Sequence, residues 1–423
     1  MKKTTLALSA ALLLSNGLFA DDKADIEMLK KQVKELQEMT QTLTDETSDL
    51  KTGFNYTVVD KEKTFSGLSP AASKVYFSKS PLSIGGYGEM YYSNAQVEGA
   101  AAGESKIDVY RFVPYIGYKF TDNIILNTEL EFEHGGADGD PANTNDGYVV
   151  IEFMYLDFLI NENFNVRVGN FLVPMGLVNE KHEPVLFNTV QRPNTEKNII
   201  PSTWQENGAM VFGNITDDIA YKVAMVTALS TGENGSKWLR DGRGGSWTQK
   251  NPEYAGVARI DYTGINGLYV GTSAYYGTSG IGEDSSTFMY DIHADYKNSG
   301  FRAYGIYTQA IRSKSNTIDA SALTPSTATK EANGGYINLS YDVLTSVQSE
   351  FSLPVFVQYE SVNPQAKFAD GTSYDPVNTT TLGVNFFPHE QVVLKADYAM
   401  SDNDYSNSKI NSDVFSLSMG FIF

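Results

Sequence analysis

From Leu82 to Phe423 the chain repeats with a period of two in its side chains and with a short–long alternation in its connections. Ile124, Leu126, Thr128, Leu130 and Phe132 alternate with Ile125, Asn127, Glu129, Glu131 and Glu133. Phe288, Tyr290, Ile292, Ala294 and Tyr296 alternate with Met289, Asp291, His293 and Asp295, and Phe415, Leu417, Met419, Phe421 and Phe423 with Ser416, Ser418 and Gly420. Successive side chains of a strand point to opposite faces, so each segment has one apolar and one polar face. The pattern predicts sixteen strands, near 82–93, 108–120, 123–134, 147–160, 163–170, 203–213, 218–230, 252–263, 267–278, 286–297, 299–310, 333–342, 353–361, 378–387, 390–400 and 412–423. Tight turns such as Thr121-Asp122, Asn161-Glu162 and Pro388-His389 follow the even strands; long polar connections such as 94–107, 231–251, 311–332 and 362–377 follow the odd ones. The turn at 343–352 is longer than its class. An even number of ten-residue segments with short loops at one end and long loops at the other fits an antiparallel barrel closed across a bilayer. A soluble sandwich also alternates, but has no reason to segregate its loops.

The N-terminus fits that destination. Lys2 and Lys3 precede an apolar stretch from Leu6 to Leu14, and Leu18-Phe19-Ala20 precedes Asp21-Asp22, the layout of a secretory signal peptide over 1–20. Residues 21–50 read as a coiled coil. Ile26, Val33, Thr40 and Thr47 occupy one heptad position and Leu29, Leu36, Leu43 and Leu50 the other, which points to a homo-oligomer, a trimer above all. An amphipathic helix packed on its own chain is the alternative. Residues 51–81, with Gly53, Gly67, Pro70 and Pro81, read as a linker, and 82–423 as the barrel. With both ends of sixteen strands on one side, the coil is expected in the periplasm. A formal charge of −19 and a pI near 4.6 argue against a nucleic-acid partner. The chain has no cysteine, so disulfides play no part.

A lipid-facing charge is costly, so the polar face is assigned inward. That puts Arg111, Lys119, Arg167, Lys222, Arg259, Arg302 and Lys395 on the lumen wall. The same phase puts Glu89, Glu129, Glu131, Glu133, Asp261, Asp291, Asp295, Glu360 and Asp397 there. Segments 147–160 and 203–213 are ambiguous, with Glu152 and Asp157 on opposite parities. The largest connection, 171–202, carries Lys181, Arg192 and Lys197 but also Glu180, Glu183 and Glu196; a loop of that length without structure of its own is usually functional.

Two stretches carry a family resemblance. Arg167-Val-Gly-Asn-Phe-Leu-Val-Pro-Met-Gly176 is similar to the strand-to-third-loop segment of phosphate-selective porins of the O and P type. Trp204-Gln-Glu-Asn-Gly-Ala-Met-Val-Phe-Gly213 resembles their next strand, with Glu206-Asn207 where those proteins often carry Arg-Asp. The resemblance covers 82–423, and the leading helix resembles the periplasmic coil before some related trimeric porins. It implies an outer-membrane channel for passive diffusion of ions and small hydrophilic solutes, with the third loop folded inward. It does not imply phosphate selectivity, because the third loop has balanced charge rather than a dense basic ladder. Phe421 and Phe423 resemble the terminal signal read by the outer-membrane assembly machinery. Arg111 and Arg167 are expected to oppose Glu180 and Glu183 across the constriction, with Arg192, Arg259 and Arg302 along the pore. Glu129, Glu131 and Glu133 form an acidic stripe towards the outer mouth.

Other chemistry is weakly signalled. The segment from Asp138 to Asp146 has calcium-like oxygen density, but an ordinary solvated loop explains it and the EF-hand spacing is absent. The histidines at 134, 182, 293 and 389 form no zinc pair at helical or strand spacing, and no nucleophile elbow or phosphate loop occurs. No cofactor and no catalytic residue is expected. Two other readings stay open: a structural or adhesin barrel, which would have a plugged lumen, and an outer-membrane enzyme, which would need a Ser–His pair on the lipid face.

Overall fold

The computed structural model describes residues 27–41, 59, 63–99, 103–136, 147–230, 235–278, 285–315, 328–347, 349–403 and 411–423. The signal-peptide segment 1–20 and the acidic loop 138–146 lie outside them. The chain divides into two units, 1–57 and 58–423. In the first, residues 27–41 form a helix, α1, whose side chains are all exposed, including the heptad residues Leu29, Val33 and Leu36. No described helix is long and apolar enough to cross a membrane.

The second unit opens with helix α2 (Pro70–Phe77) and continues as sixteen strands. These are β1 (Leu82–Val97), β2 (Glu104–Thr121), β3 (Ile124–Glu133), β4 (Tyr148–Leu159), β5 (Asn165–Leu172), β6 (Gln205–Thr216), β7 (Ile219–Thr227) and β8 (Tyr254–Ile265). They continue as β9 (Leu268–Thr278), β10 (Ser286–Asn298), β11 (Phe301–Arg312), β12 (Thr329–Asp342), β13 (Pro354–Phe368), β14 (Val377–His389), β15 (Val392–Asn403) and β16 (Ser412–Ile422). Each strand pairs antiparallel with its sequence neighbours, and β1 pairs with β16, so the sheet is a closed barrel. Closure leaves no unpaired edge.

The closing seam explains the terminal aromatics. Phe423 exchanges backbone hydrogen bonds with Gly86 (2.9 and 3.0 Å). The rings of Phe423 and Phe421 lie over Gly86 and Gly88, where a Cβ would come within 2.8 and 2.4 Å of ring carbon. Any larger residue at Gly88 would displace the Phe421 ring.

Outside, the barrel carries an apolar band. Ile84, Phe112, Ile116, Met154, Phe158, Val223, Ile260, Ile292, Ile337, Leu339, Val357, Leu382, Leu394 and Leu417 are all exposed. A closed sheet with this exterior belongs in lipid; in water it would be a contiguous patch far beyond what a soluble surface tolerates. The long turn at 343–352 has a local cause. Asp342 accepts hydrogen bonds from the N–H groups of Leu344 (3.0 Å) and Leu353 (2.8 Å), so one carboxylate ties both ends of it.

The parity conflict on β4 also resolves. Glu129 pairs with Phe153 and Leu130 with Ile151, so Glu152 is the extra residue of a β-bulge. A bulge flips the phase of a strand, and Glu152 and Asp157 both face inward, fully buried.

One expectation is corrected here. Residues 70–77 of the presumed linker are not outside the barrel. Pro70 can take the first turn of α2 because its missing N–H needs no partner there. Leu68, Ala71, Ala72 and Val75 are buried against the inner wall. Val75 sits over Gly117, where a Cβ would lie 2.5 Å from it, and the Ala72 carbonyl accepts from the Asn127 side chain (2.8 Å).

Candidate functional site

The connection from β5 to β6, residues 173–204, fills the middle of the barrel. Its backbone groups would be costly to bury without partners. The inward charges of the wall supply them. Glu360 accepts from the N–H of Asn194 (3.1 Å) and Thr195 (2.7 Å), and Asp397 from that of Val190 (2.6 Å). Lys395 donates to the carbonyls of Phe187 and Thr189 (both 2.9 Å), Arg302 to that of Leu186 (2.9 Å) and Arg259 to that of Gly176 (2.7 Å). Within the loop, Glu196 accepts from the N–H of Leu177 (3.0 Å) and Val178 (2.6 Å) and from the Tyr336 hydroxyl (2.8 Å). Burial pushes the Glu196 carboxyl up to about 7 despite these donors.

Helix α2 is held against the same loop. Glu183 accepts from the first free N–H groups of α2, at Ala71 (3.3 Å) and Ala72 (3.1 Å), where the helix dipole favours a negative charge. Tyr76 donates to Asp157 (2.6 Å), which also holds Arg167 through two bonds of 2.7 and 2.9 Å. The Arg167 guanidinium lies flat on the Tyr155 ring, 3.8 Å from its centroid.

This geometry corrects the expected constriction. Arg167 and Glu183 are both committed to holding α2, and they do not face each other. Glu180 is met not by Arg111 or Arg167 but by Lys222 (2.6 Å) and Arg259 (3.7 Å). Arg259 in turn bonds Asp261 (2.9 Å) and His293 (2.9 Å). Arg302 is paired with Asp295 (2.9 Å). Glu129 is fully buried beside His182.

A cavity lies on each side of the loop. At the short-turn end a cavity of about 510 Å³ is lined by Lys181, Tyr269, Asp295, Lys297 and Arg302. At the long-loop end a cavity of about 330 Å³ is lined by Tyr110, Arg111, Glu131, Glu133, Tyr148, Arg192, Lys197, Arg240, Asp241 and Arg243. Of the residues singled out from sequence, Arg111, Arg192, Glu131 and Glu133 meet here. Arg111 lies 3.4 Å from Glu131 and 3.7 Å from both Glu133 and Glu89, so it is shared among acids.

Arg192, Arg240 and Arg243 differ from Arg111. Among the described residues they make no ion pair and donate only to main-chain carbonyls: Arg192 to His182, Arg240 to Ser202, Arg243 to Pro201 and Thr203. Burial, with Arg240, Arg111 and Arg192 around it, lowers Lys197 to about 8, which leaves it mostly charged at neutral pH. Arg240 and Arg243 escaped the sequence reading because they lie in a different long connection, around the short helix α3 (Trp238–Asp241). The dense run from Lys237 through Arg240 to Arg243 was the available signal.

No protein-family model matches the chain. A protein of Aquifex aeolicus described as uncharacterized is 34% identical over 379 residues, which covers 85% of this chain and 84% of that one. Solved structures share the architecture at low identity. The outer-membrane channel DcaP of Acinetobacter baumannii aligns over 81% of this chain and 97% of its own, with a TM-score of 0.55 at 11% identity. OmpF of Salmonella typhi, in complex with daunomycin, aligns over 80% and 97%, with a TM-score of 0.53 at 10%. OmpT of Vibrio cholerae, in a trimer form, aligns over 81% and 100%, with a TM-score of 0.52 at 10%. The barrel is therefore of the general porin type.

Proposed function

We propose that this chain, which belongs to one family with the uncharacterized Aquifex aeolicus protein, is an outer-membrane channel for passive diffusion of small hydrophilic solutes, with a preference for anions. The observation that carries the preference is the convergence of Arg192, Lys197, Arg240 and Arg243 on the long-loop cavity. The acids in the same cavity do not cancel them, because Glu131 and Glu133 share Arg111 and Asp241 is left as the single further carboxylate against four cations. Guanidinium groups suit carboxylates and phosphates. The exposed heptad face of α1 supports a homotrimer.

The test is a planar-bilayer recording of the purified full-length protein across a potassium chloride gradient. Discrete conductance steps with a reversal potential on the chloride side are expected. Steps with a potassium-side reversal would sink the anion preference and leave the channel standing.

The tightly filled middle of the lumen favours a second reading, a barrel closed at rest and serving structure. Complete absence of steps, from protein shown folded by its heat-modifiable mobility, would select it.

A further inference from the structure

Three side chains from separate parts of the chain meet behind the long-loop cavity. Glu129 on β3, Glu152 at the β4 bulge and His182 on the inward loop each offer a donor atom, and these atoms lie within 4.8 Å of one another. All three residues are buried, Glu129 and Glu152 with no exposed surface at all. Neither oxygen of Glu152 has a hydrogen-bond partner in the protein, and neither does Oε2 of Glu129. Two carboxylates at this distance, in a medium that excludes water, repel strongly and need either a shared proton or a metal cation between them.

The histidine is set up to help supply one. Its Nδ1 lies 2.7 Å from the Asn179 carbonyl oxygen, which can only accept, so Nδ1 carries the proton. In the neutral ring Nε2 then presents a lone pair, and it points at Glu129 Oε1 from 3.2 Å. Two lone pairs facing each other are not a stable contact by themselves. A main-chain carbonyl holding the far nitrogen is the usual outer support of a metal-ligating imidazole. The 3.2 Å separation is also close to the edge of a tetrahedron with metal–ligand bonds near 2.0–2.1 Å, about 3.3 Å.

We propose that Glu129, Glu152 and His182 bind one divalent first-row metal ion, of which Zn²⁺ is the representative, and that this ion locks the inward loop to the β3–β4 wall. One imidazole and two carboxylates are ligands this class of ion accepts, whereas a hard ion such as Ca²⁺ would want more oxygens. The ion would couple metal binding to the position of the loop, since His182 is the loop's only contribution to the set. The bulge matters to the site: an unbroken alternation running on from the inward Phe153 would turn Glu152 to lipid.

The experiment uses the full-length protein, refolded in detergent with Zn²⁺ and exhaustively dialysed against metal-free buffer. Metal content by plasma mass spectrometry should be close to one ion per chain. Glu152→Gln keeps the shape and should lose the ion, with heat-modifiable mobility unchanged. His182→Ala should lose it too, and protease should cut the 173–204 loop faster in both variants. A Zn²⁺-dependent rise in melting temperature should appear in the parent and vanish in Glu152→Gln. Dialysed parent protein without metal and without any Zn²⁺-dependent stabilisation would overturn the proposal in favour of shared protons. Equal retention by the parent and a folded Glu152→Gln would overturn it as well, by placing the metal elsewhere.

Discussion

The middle of the lumen and its long-loop mouth both hold the inward loop with charged side chains, but at the mouth those side chains also line an open cavity. In the middle, Glu360, Asp397, Lys395, Arg302 and Arg259 spend their charges on main-chain groups of the inward loop. At the mouth, Arg192, Arg240 and Arg243 also donate to carbonyls of that loop, but they line an open cavity and carry no carboxylate among the described residues. A charge on the inner wall of a barrel is therefore not by itself a selectivity element. In the middle it substitutes for the water that the loop backbone lost. At the mouth it is available to a solute.

The largest effect that would break this comparison lies in the middle. Arg167→Glu removes one partner of the buried Asp157 pair and sets two acids together under α2. The loss should be about 3–5 kcal/mol, the usual cost of stranding a buried charge. It should appear as a lower heat-modification temperature. A shift in reversal potential with stability unchanged would instead put Arg167 at the constriction.

Of the same order is the release of the loop. Glu360→Ala with Asp397→Ala leaves the N–H groups of Val190, Asn194 and Thr195 without acceptors, at roughly 1–3 kcal/mol for each buried group stranded. Single-channel conductance should rise several-fold as the loop leaves the lumen. Glu89→Ala with Glu133→Ala, at the mouth, should leave conductance of the same order. Equal effects from the two pairs would erase the distinction.

Reversing the mouth sharpens it. Arg240→Glu with Arg243→Glu should move the reversal potential towards cations while conductance stays of the same order. These side chains bond carbonyls of the inward loop at Pro201, Ser202 and Thr203, so a drop in melting temperature with the reversal potential unchanged would place them with the anchors of the middle instead.

The smallest effect is on pH. Burial raises Glu196 to about 7, above its ordinary value of 4.5. The folded state therefore binds the proton more tightly than the unfolded chain, and stability falls as pH rises from about 4.5 through about 7. The 173–204 loop should be cut by protease faster at pH 8 than at pH 5, and Glu196→Gln should flatten that difference. An unchanged pH dependence in the variant would assign it to another group.

Sixteen strands, their order and the direction of each inward charge were legible in the sequence. Each depends on a period of two and on turn length, both local properties of a strand pressed between lipid and a polar interior. On β4 the alternation failed where a bulge inserted one residue, at Glu152, because an extra residue leaves no mark on composition. What the inward charges face was decided by the tertiary structure. Glu129 and His182 are 53 positions apart, and Glu183 reaches Ala72 across 111. No period links such pairs; they meet because a closed barrel brings distant strands, one loop and α2 into a single enclosed volume. The helix itself was misplaced for the same reason. Its Pro and small residues suit a linker as well as a tight lumen, and only the space over Gly117 and the carboxylate of Glu183 distinguish the two.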